Sequence, residues 1–317
     1  MRHVDKPGPD DLKAASEVVH QHLVPTPVVA APDLGPGVSL KLESLQPTGS
    51  FKVRGGLSAV AAACDRHGVS RLVAASAGNH GLGVAYAADR LGAAATVVVA
   101  ETASAAKVAA LERFSVDLVR HGTTYDEAEA LALRLAREGG VRFVSPYNDP
   151  DVIAGQATVA TELLDQLAGL GTVVVPVGGG GLAAGICLAT EGREVRVVGV
   201  EPERSPSMTA AFAAGSAVPV TVGSTIADGL AGNIEEGSVT VEICRAGGVE
   251  MLEVTEEEIR AAIRFLAFEH GVVAEGAGAV AVAALHSGRF VPDGSPTAVV
   301  VTGRNVAPPL LASILAG

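Results

Sequence analysis

The chain has 317 residues, 48% of them hydrophobic and 18% charged, enough apolar material for a sizeable core and for two lobes rather than one. Its formal charge of -12, with no basic cluster, removes the electrostatic footprint that nucleic acid or an anionic membrane surface requires and leaves small molecules as the expected partners. No stretch runs far enough without Gly, Pro or charge to span a bilayer, and the polar segment after Met1 holds no apolar targeting core, so a cytoplasmic protein is expected.

Short β-branched runs alternate with Ala-, Leu- and Glu-rich stretches of helical period, which predicts parallel strands joined by helical crossovers in an α/β fold. In chain order the pattern gives a helix at 10–21, a strand at 38–42, a helix at 51–66, a strand at 71–75 and a helix at 79–90. It continues with a strand at 95–99, a helix at 104–113, a strand at 116–119 and helices at 124–138 and 153–168. Then come a strand at 172–177, a helix at 182–190, a strand at 195–200, helices at 255–269 and 276–286, and a strand at 297–302. Ser104, Thr124 and Thr255 read as N-caps, the last with Glu258 in a capping box. Turn formers from Val144 to Pro150 return the chain between lobes, giving a small domain at 46–140 and a large one at 1–45 and 141–317. Cys64, Cys187 and Cys244 are far apart, match no metal-ligand spacing and read as small buried hydrophobes.

Two segments carry chemistry. Strand 172–177 runs into Gly178-Gly179-Gly180-Gly181 and then a helix start, where bare backbone amides and the helix dipole suit a phosphate. By itself the loop is ambiguous. Gly178, Gly180 and Ala183 also satisfy the dinucleotide pattern, with Glu201 placed as a ribose acid, so a nicotinamide dehydrogenase stands beside a single cofactor phosphate. The second segment, KLESLQPTGSFK, sets Lys52 just inside a helix that Ser50 is placed to cap. There the positive end of the helix dipole favours a neutral, nucleophilic amine.

The segments LKLESLQPTGSFKVRGG, ASAGNHGLGVA (75–85) and PVGGGGLAAGI (176–186), followed by TIADGL (225–230) and AEGAGAV (274–280), resemble the fold type II pyridoxal-phosphate enzymes. The serine/threonine dehydratase family is the nearest likeness, and the five motifs lie in register over most of the chain. The resemblance implies a two-lobed, tryptophan synthase β-like α/β fold, each lobe a mostly parallel sheet flanked by helices, and a homodimer. It implies pyridoxal 5'-phosphate held as a Schiff base by Lys52, which is also the acid and base. Phe51 would pack beside the ring, and Gly178, Gly179, Gly180, Gly181 and Leu182 would bind the phosphate. Asn79 would meet the ring hydroxyl, and Thr302, where the family usually has serine, the ring nitrogen. Ser76, Ala77, Gly78, Asn79 and His80 would bind the substrate carboxylate. A dinucleotide enzyme has no use for the lysine motif. The activity implied is elimination of the β-hydroxyl from a serine- or threonine-like amino acid, giving a 2-oxo acid and ammonia; a racemase, a β-replacement synthase or a non-catalytic binding protein are the alternatives.

Several positions qualify the resemblance. Racemases of the family carry a serine, the second proton donor, where this chain has Ala77, so racemisation is disfavoured. Glu201, Ser205 and Ser207 fall where the family surrounds a cation; Ser207 replaces an aspartate of divalent-binding members, which favours potassium. Arg304 replaces a glycine and is open between a second substrate carboxylate and solvent. With the chain ending at Gly317, no C-terminal regulatory domain and hence a catabolic or specialised role are expected.

Overall fold

The computed structural model describes residues 4–69 and 71–317 and arranges the strands in two sheets. The larger has the order β1 (Val28–Ala30), β2 (Val38–Lys41), β10 (Thr297–Val300), β7 (Thr172–Pro176), β8 (Arg196–Pro202) and β9 (Glu250–Val254). The smaller has the order β5 (Asp117–Arg120), β4 (Ala94–Val99), β3 (Arg71–Ala75) and β6 (Val141–Phe143). Every pairing is parallel except β1 with β2.

The two-residue period of the strands divides the large lobe into two cores. Val174 and Val299 face one core, closed by α10 (Glu256–Glu269) and α11 (Gly276–His286). Val173, Val175, Ala298 and Val300 face the other, closed by α6 (Pro150–Gln166) and α7 (Gly181–Ala189). With helices on both faces, β7 and β10 are buried along their whole length, which is why they read as unbroken apolar runs.

The expected elements are present, with ends displaced by a few residues. Ser104 accepts a hydrogen bond from Lys107 N, and Thr124 and Thr255 each close a capping box. Six elements had no signal of their own: β1, β6, β9, α8 (Ser207–Ala214), α9 (Val239–Ala246) and α12 (Pro308–Leu315). None exceeds eight residues, too short for periodicity to stand out from neighbouring turns. Because β6 belongs to the four-stranded sheet, that sheet extends to Phe143, past the expected boundary at 140.

Ser50 does not cap the helix before which it stands. Phe51 occupies the N-cap position with helical angles (φ -57, ψ -21) and no side-chain bond, while Ser50 bridges to Gly303 and its buried hydroxyl has no partner. The helix it precedes, α2 (Lys52–Asp65), is pressed against α3 (Asn79–Leu91) through glycines. A Cβ on Gly56 would lie 2.4 Å from Gly83 O, and one on Gly83 would lie 2.7 Å from Lys52 O. This close approach brings Lys52 and the loop before Asn79 to the same end of the small lobe.

Candidate active site

α2 is buried from Val53 to Ala63 and is tied to its surroundings by a charge cluster. Arg54 Nε and Nη2 donate to the two oxygens of Glu43 at 2.8 Å each, and Nη1 donates to Glu162 Oε1 at 2.6 Å. Lys41 Nζ donates to Glu162 Oε2 at 2.5 Å and to Thr26 O at 2.9 Å. Two cations thus balance two carboxylates out of water, two residues beyond Lys52. These side chains went unnoticed in the sequence although Lys41, Glu43 and Arg54 lie inside the lysine motif.

Lys52 has no such company. Its Nζ donates to Pro146 O at 2.7 Å, lies 5.2 Å from the Phe51 ring centroid, and has no carboxylate partner among the described residues. Loss of water around the amine pushes its pKa down to about 8. Burial is therefore the activating cause, where the helix dipole had been expected. His80, fully enclosed nearby, contacts Val144 O through Nε2 at 2.9 Å, and burial followed by the charge of Lys52 pushes its pKa down to about 3.

Pro146 leads directly to Tyr147, which joins the lysine to the glycine loop. A Cβ on Gly179 would lie 2.3 Å from the Tyr147 ring, and one on Gly181 would lie 2.9 Å from Tyr147 Cα. Gly180 has φ +85, a left-handed conformation that favours glycine. α7 starts with no side-chain cap, and among the described residues the amides of Gly178 to Leu182 donate to no group of the chain. A helix start with unengaged amides is an anion site.

The other expected residues close around this centre. Asn79 Nδ2 donates to Glu275 Oε1 at 2.6 Å, and Asn79 Oδ1 accepts from Asn305 Nδ2 at 2.6 Å. Glu275, inside the AEGAGAV motif but with no signal of its own there, has its pKa raised to about 7 by burial. Thr302 is buried and donates to Ala277 O at 3.3 Å. Ser76 Oγ accepts from Gly78 N at 3.1 Å, beside the side chain of Ala77. Arg304 answers the question left open: its guanidinium donates to Ser44 O, strapping down the loop that leads to Lys52.

Glu201, Ser205 and Ser207 come together beyond β8. Glu201 Oε1 accepts from Met208 N at 2.7 Å and Oε2 from Thr209 N at 2.9 Å, so this carboxylate caps α8; burial raises its pKa to about 7. Ser205 and Ser207 donate to the carbonyls of Leu230 at 3.3 Å and Gly232 at 2.6 Å. No cluster of three His, Cys, Asp or Glu suited to a metal occurs among the described residues.

Residues 19–303 match the family model of the pyridoxal-phosphate dependent enzymes. The chain belongs to this family. It is 41% identical over 303 residues to L-threonine ammonia-lyase of Thermotoga maritima, covering 94% of this chain and 75% of that one. It is 35% identical to a putative threonine dehydratase of Sinorhizobium fredii, covering 94% and 92%. Among solved structures, maize serine racemase superposes with a TM-score of 0.90 at 27% identity, covering 98% of each chain. The processed form of threonine deaminase isoform 2 from Solanum lycopersicum gives 0.88 at 31% identity, covering 99% of this chain and 90% of that one. The fold is that of fold type II pyridoxal-phosphate enzymes, and the branch is that of the serine/threonine dehydratases.

The residues present fit pyridoxal phosphate. A phosphate finds the unengaged amides of Gly178 to Leu182, and an aldehyde finds a desolvated amine that no carboxylate holds as ammonium. The dehydrogenase alternative falls, because residues 19–303 match the pyridoxal-phosphate dependent enzymes.

Proposed function

We propose that this pyridoxal-phosphate-dependent dehydratase converts an L-threonine- or L-serine-like β-hydroxy-α-amino acid to the corresponding 2-oxo acid and ammonia. The observation that carries the reading is the amine of Lys52, half-buried, bonded only to a carbonyl and brought to a pKa of about 8. At pH 7 about a tenth of such amines are neutral, enough to act as nucleophile and base.

The cofactor, when bound, supplies an electron sink for the pair left at the substrate α-carbon. The chain's own residues do the rest. Gly178, Gly179, Gly180, Gly181 and Leu182 hold the phosphate through their amides. Asn79, fixed between Glu275 and Asn305, meets the ring hydroxyl, Phe51 packs beside the ring, and Thr302 meets the ring nitrogen with a neutral hydroxyl. Backbone amides of Ala77, Asn79 and His80 hold the substrate carboxylate at the start of α3, where the helix dipole assists, while those of Ser76 and Gly78 stay with Val98 O and Ser76 Oγ. Lys52 Nζ takes the α-proton, and its ammonium is the acid for the departing β-hydroxyl. Loss of water and later uptake of one water leave 2-oxo acid and ammonia in balance.

The similarity to maize serine racemase makes racemisation the second reading. Two features oppose it. The methyl of Ala77 holds no proton, and a His80 with a pKa of about 3 is protonated in roughly one molecule in 10^4 at pH 7. The opposite face of the cofactor thus lacks a donor. Incubation with L-threonine in heavy water tests both readings: 2-oxo acid and ammonia with no D-isomer in the residual substrate is expected. Abundant D-isomer would replace elimination by racemisation.

A potassium ion at Glu201, Ser205 and Ser207 is part of the proposal, supported by the gathering of a buried carboxylate with two hydroxyls and the carbonyls of Leu230 and Gly232, all hard oxygen donors. A homodimer and a cytoplasmic location complete it. Among the described residues no helix is long and apolar enough to cross a membrane.

A further inference from the structure

Beside the Ser76–His80 loop a cavity of about 330 Å3 opens at the carboxyl ends of β3 and β4, the edge at which parallel sheets bind ligands. Ser76 and Ala77, the first residues of the proposed carboxylate loop, form one wall. The depth of the cavity is lined by the buried Val98, Val99 and Ala128. Its mouth is lined by exposed residues, Thr102, Ser104, Lys107 and Tyr125. This mouth adjoins the active centre, since Lys107 pairs with Asp228, and the turn Asp228–Leu230 lies against Gly178 of the glycine loop and against Ala277.

The polar groups at the mouth are already engaged. Thr102 donates to Thr123 O at 2.9 Å, and Ser104 Oγ caps α4 (Ala105–Leu111). Tyr125 donates to Glu129 Oε1 at 2.9 Å, and Lys107 pairs with Asp228 at 3.0 Å. A carboxylate guest would find the one cation neutralised and a second carboxylate close by. What remains on offer is valine and alanine surface. A cavity of roughly 150 Å3 accommodates benzene. The present one holds an aromatic ring with room to spare, whereas the methyl of threonine would leave most of it to water.

We propose that this cavity receives the β-substituent of the substrate and that the preferred substrates are 3-aryl-serines, of which 3-phenylserine is the simplest, rather than threonine. The inference rests on the dehydratase reading above. The reaction is the same elimination: 3-phenylserine gives phenylpyruvate and ammonia, with one water lost and one regained. Cavity size and apolar depth select the ring, and the closed set of polar bonds at the mouth selects against a charged substituent.

The test uses the holoenzyme with 3-phenylserine, threonine and 3-hydroxyaspartate, following 2-oxo acid release. Calorimetry with L-phenylalanine and L-2-aminobutyrate, which have no hydroxyl to lose, reports binding alone. The expected results are a kcat/KM at least tenfold higher for 3-phenylserine than for threonine, and phenylalanine binding at least tenfold tighter than 2-aminobutyrate. Ala103→Phe, which fills the cavity from the loop after β4, should lower the phenylserine-to-threonine ratio of kcat/KM at least tenfold; Thr102→Trp, at an exposed position, makes the same test if the first variant folds poorly. A preference for threonine with no tighter binding of phenylalanine would overturn the inference while leaving the dehydratase reading intact. Fastest turnover of 3-hydroxyaspartate would overturn it in favour of a carboxylate on Lys107. Tight phenylalanine binding without turnover of any hydroxy-amino acid would keep the cavity assignment and sink the dehydratase reading.

Discussion

Lys41 and Lys52 stand eleven residues apart, the first fully and the second partly removed from water, and do opposite things. Lys41 meets Glu162 at 2.5 Å, with Glu43 and Arg54 completing a neutral cluster, and its desolvation is opposed by those carboxylates. Lys52 meets only the Pro146 carbonyl, so its desolvation stands uncompensated and its pKa falls to about 8. A buried lysine is structural or chemical according to whether a carboxylate accompanies it. The first arrangement keeps a charge and fixes a helix; the second yields an amine able to attack a carbonyl.

Breaking the chemical half should have the largest effect. Lys52→Ala is expected to lower turnover by more than about 10^3-fold and to abolish the visible absorbance of the bound cofactor, with the far-UV circular dichroism of the native fold retained. Retained turnover in that variant would transfer the chemistry to another group. Breaking the structural half should cost stability instead. Arg54→Met leaves Glu43 buried without its bonded cation and strips one of two from Glu162, and urea unfolding should show a loss of about 3–5 kcal/mol.

The contrast also sets a pH dependence. In cofactor-free protein the folded amine of Lys52 has a pKa of about 8, below its ordinary 10.5, so between these values the unfolded chain binds the extra proton. Stability contributed by this site therefore rises with pH across that window, by up to about 3 kcal/mol. Lys52→Met should remove the rise and be more stable than the parent at pH 7. Lys41→Met should be less stable, because it strips a partner from Glu162. Equal responses of the two variants would end the distinction.

Smaller effects probe the rest of the site. Ala77→Ser should introduce slow inversion of L-threonine at the α-carbon, read as the appearance of D-allo-threonine, by placing a hydroxyl where the second proton donor is missing. Potassium at constant ionic strength should raise the melting temperature by a few degrees relative to lithium, corresponding to about 1 kcal/mol. Glu201→Gln should lose that difference.

The motifs that carry Lys52 and the glycine run were legible in the sequence, and the charge cluster around Arg54 was not. The motif around Lys52 and the glycine run stand in order along the chain, and their local geometry is dictated by residue type: Gly179 and Gly181 are bare because Tyr147 lies against them. The partnership of Arg54 with Glu162 spans 108 residues and that of Asn79 with Glu275 spans 196, separations across which no periodicity or spacing rule reaches. Ser50 misled for a related reason. A serine before a helix suggests a cap, but a bridge to Gly303, distant in sequence, takes the backbone elsewhere. Short elements such as β6 and β9 exist because neighbouring strands offer an edge, and their own residues carry little signal.

Of the chain's five lysines (Lys6, Lys13, Lys41, Lys52 and Lys107), Lys52 is the one expected to hold the cofactor, because its amine is half-buried, bonded to a carbonyl and without a carboxylate partner among the described residues. Borohydride reduction of the holoenzyme followed by peptide mapping tests this directly. A pyridoxyl label on Lys52 alone is the expected result, and a label on Lys41 or any other lysine would contradict the account.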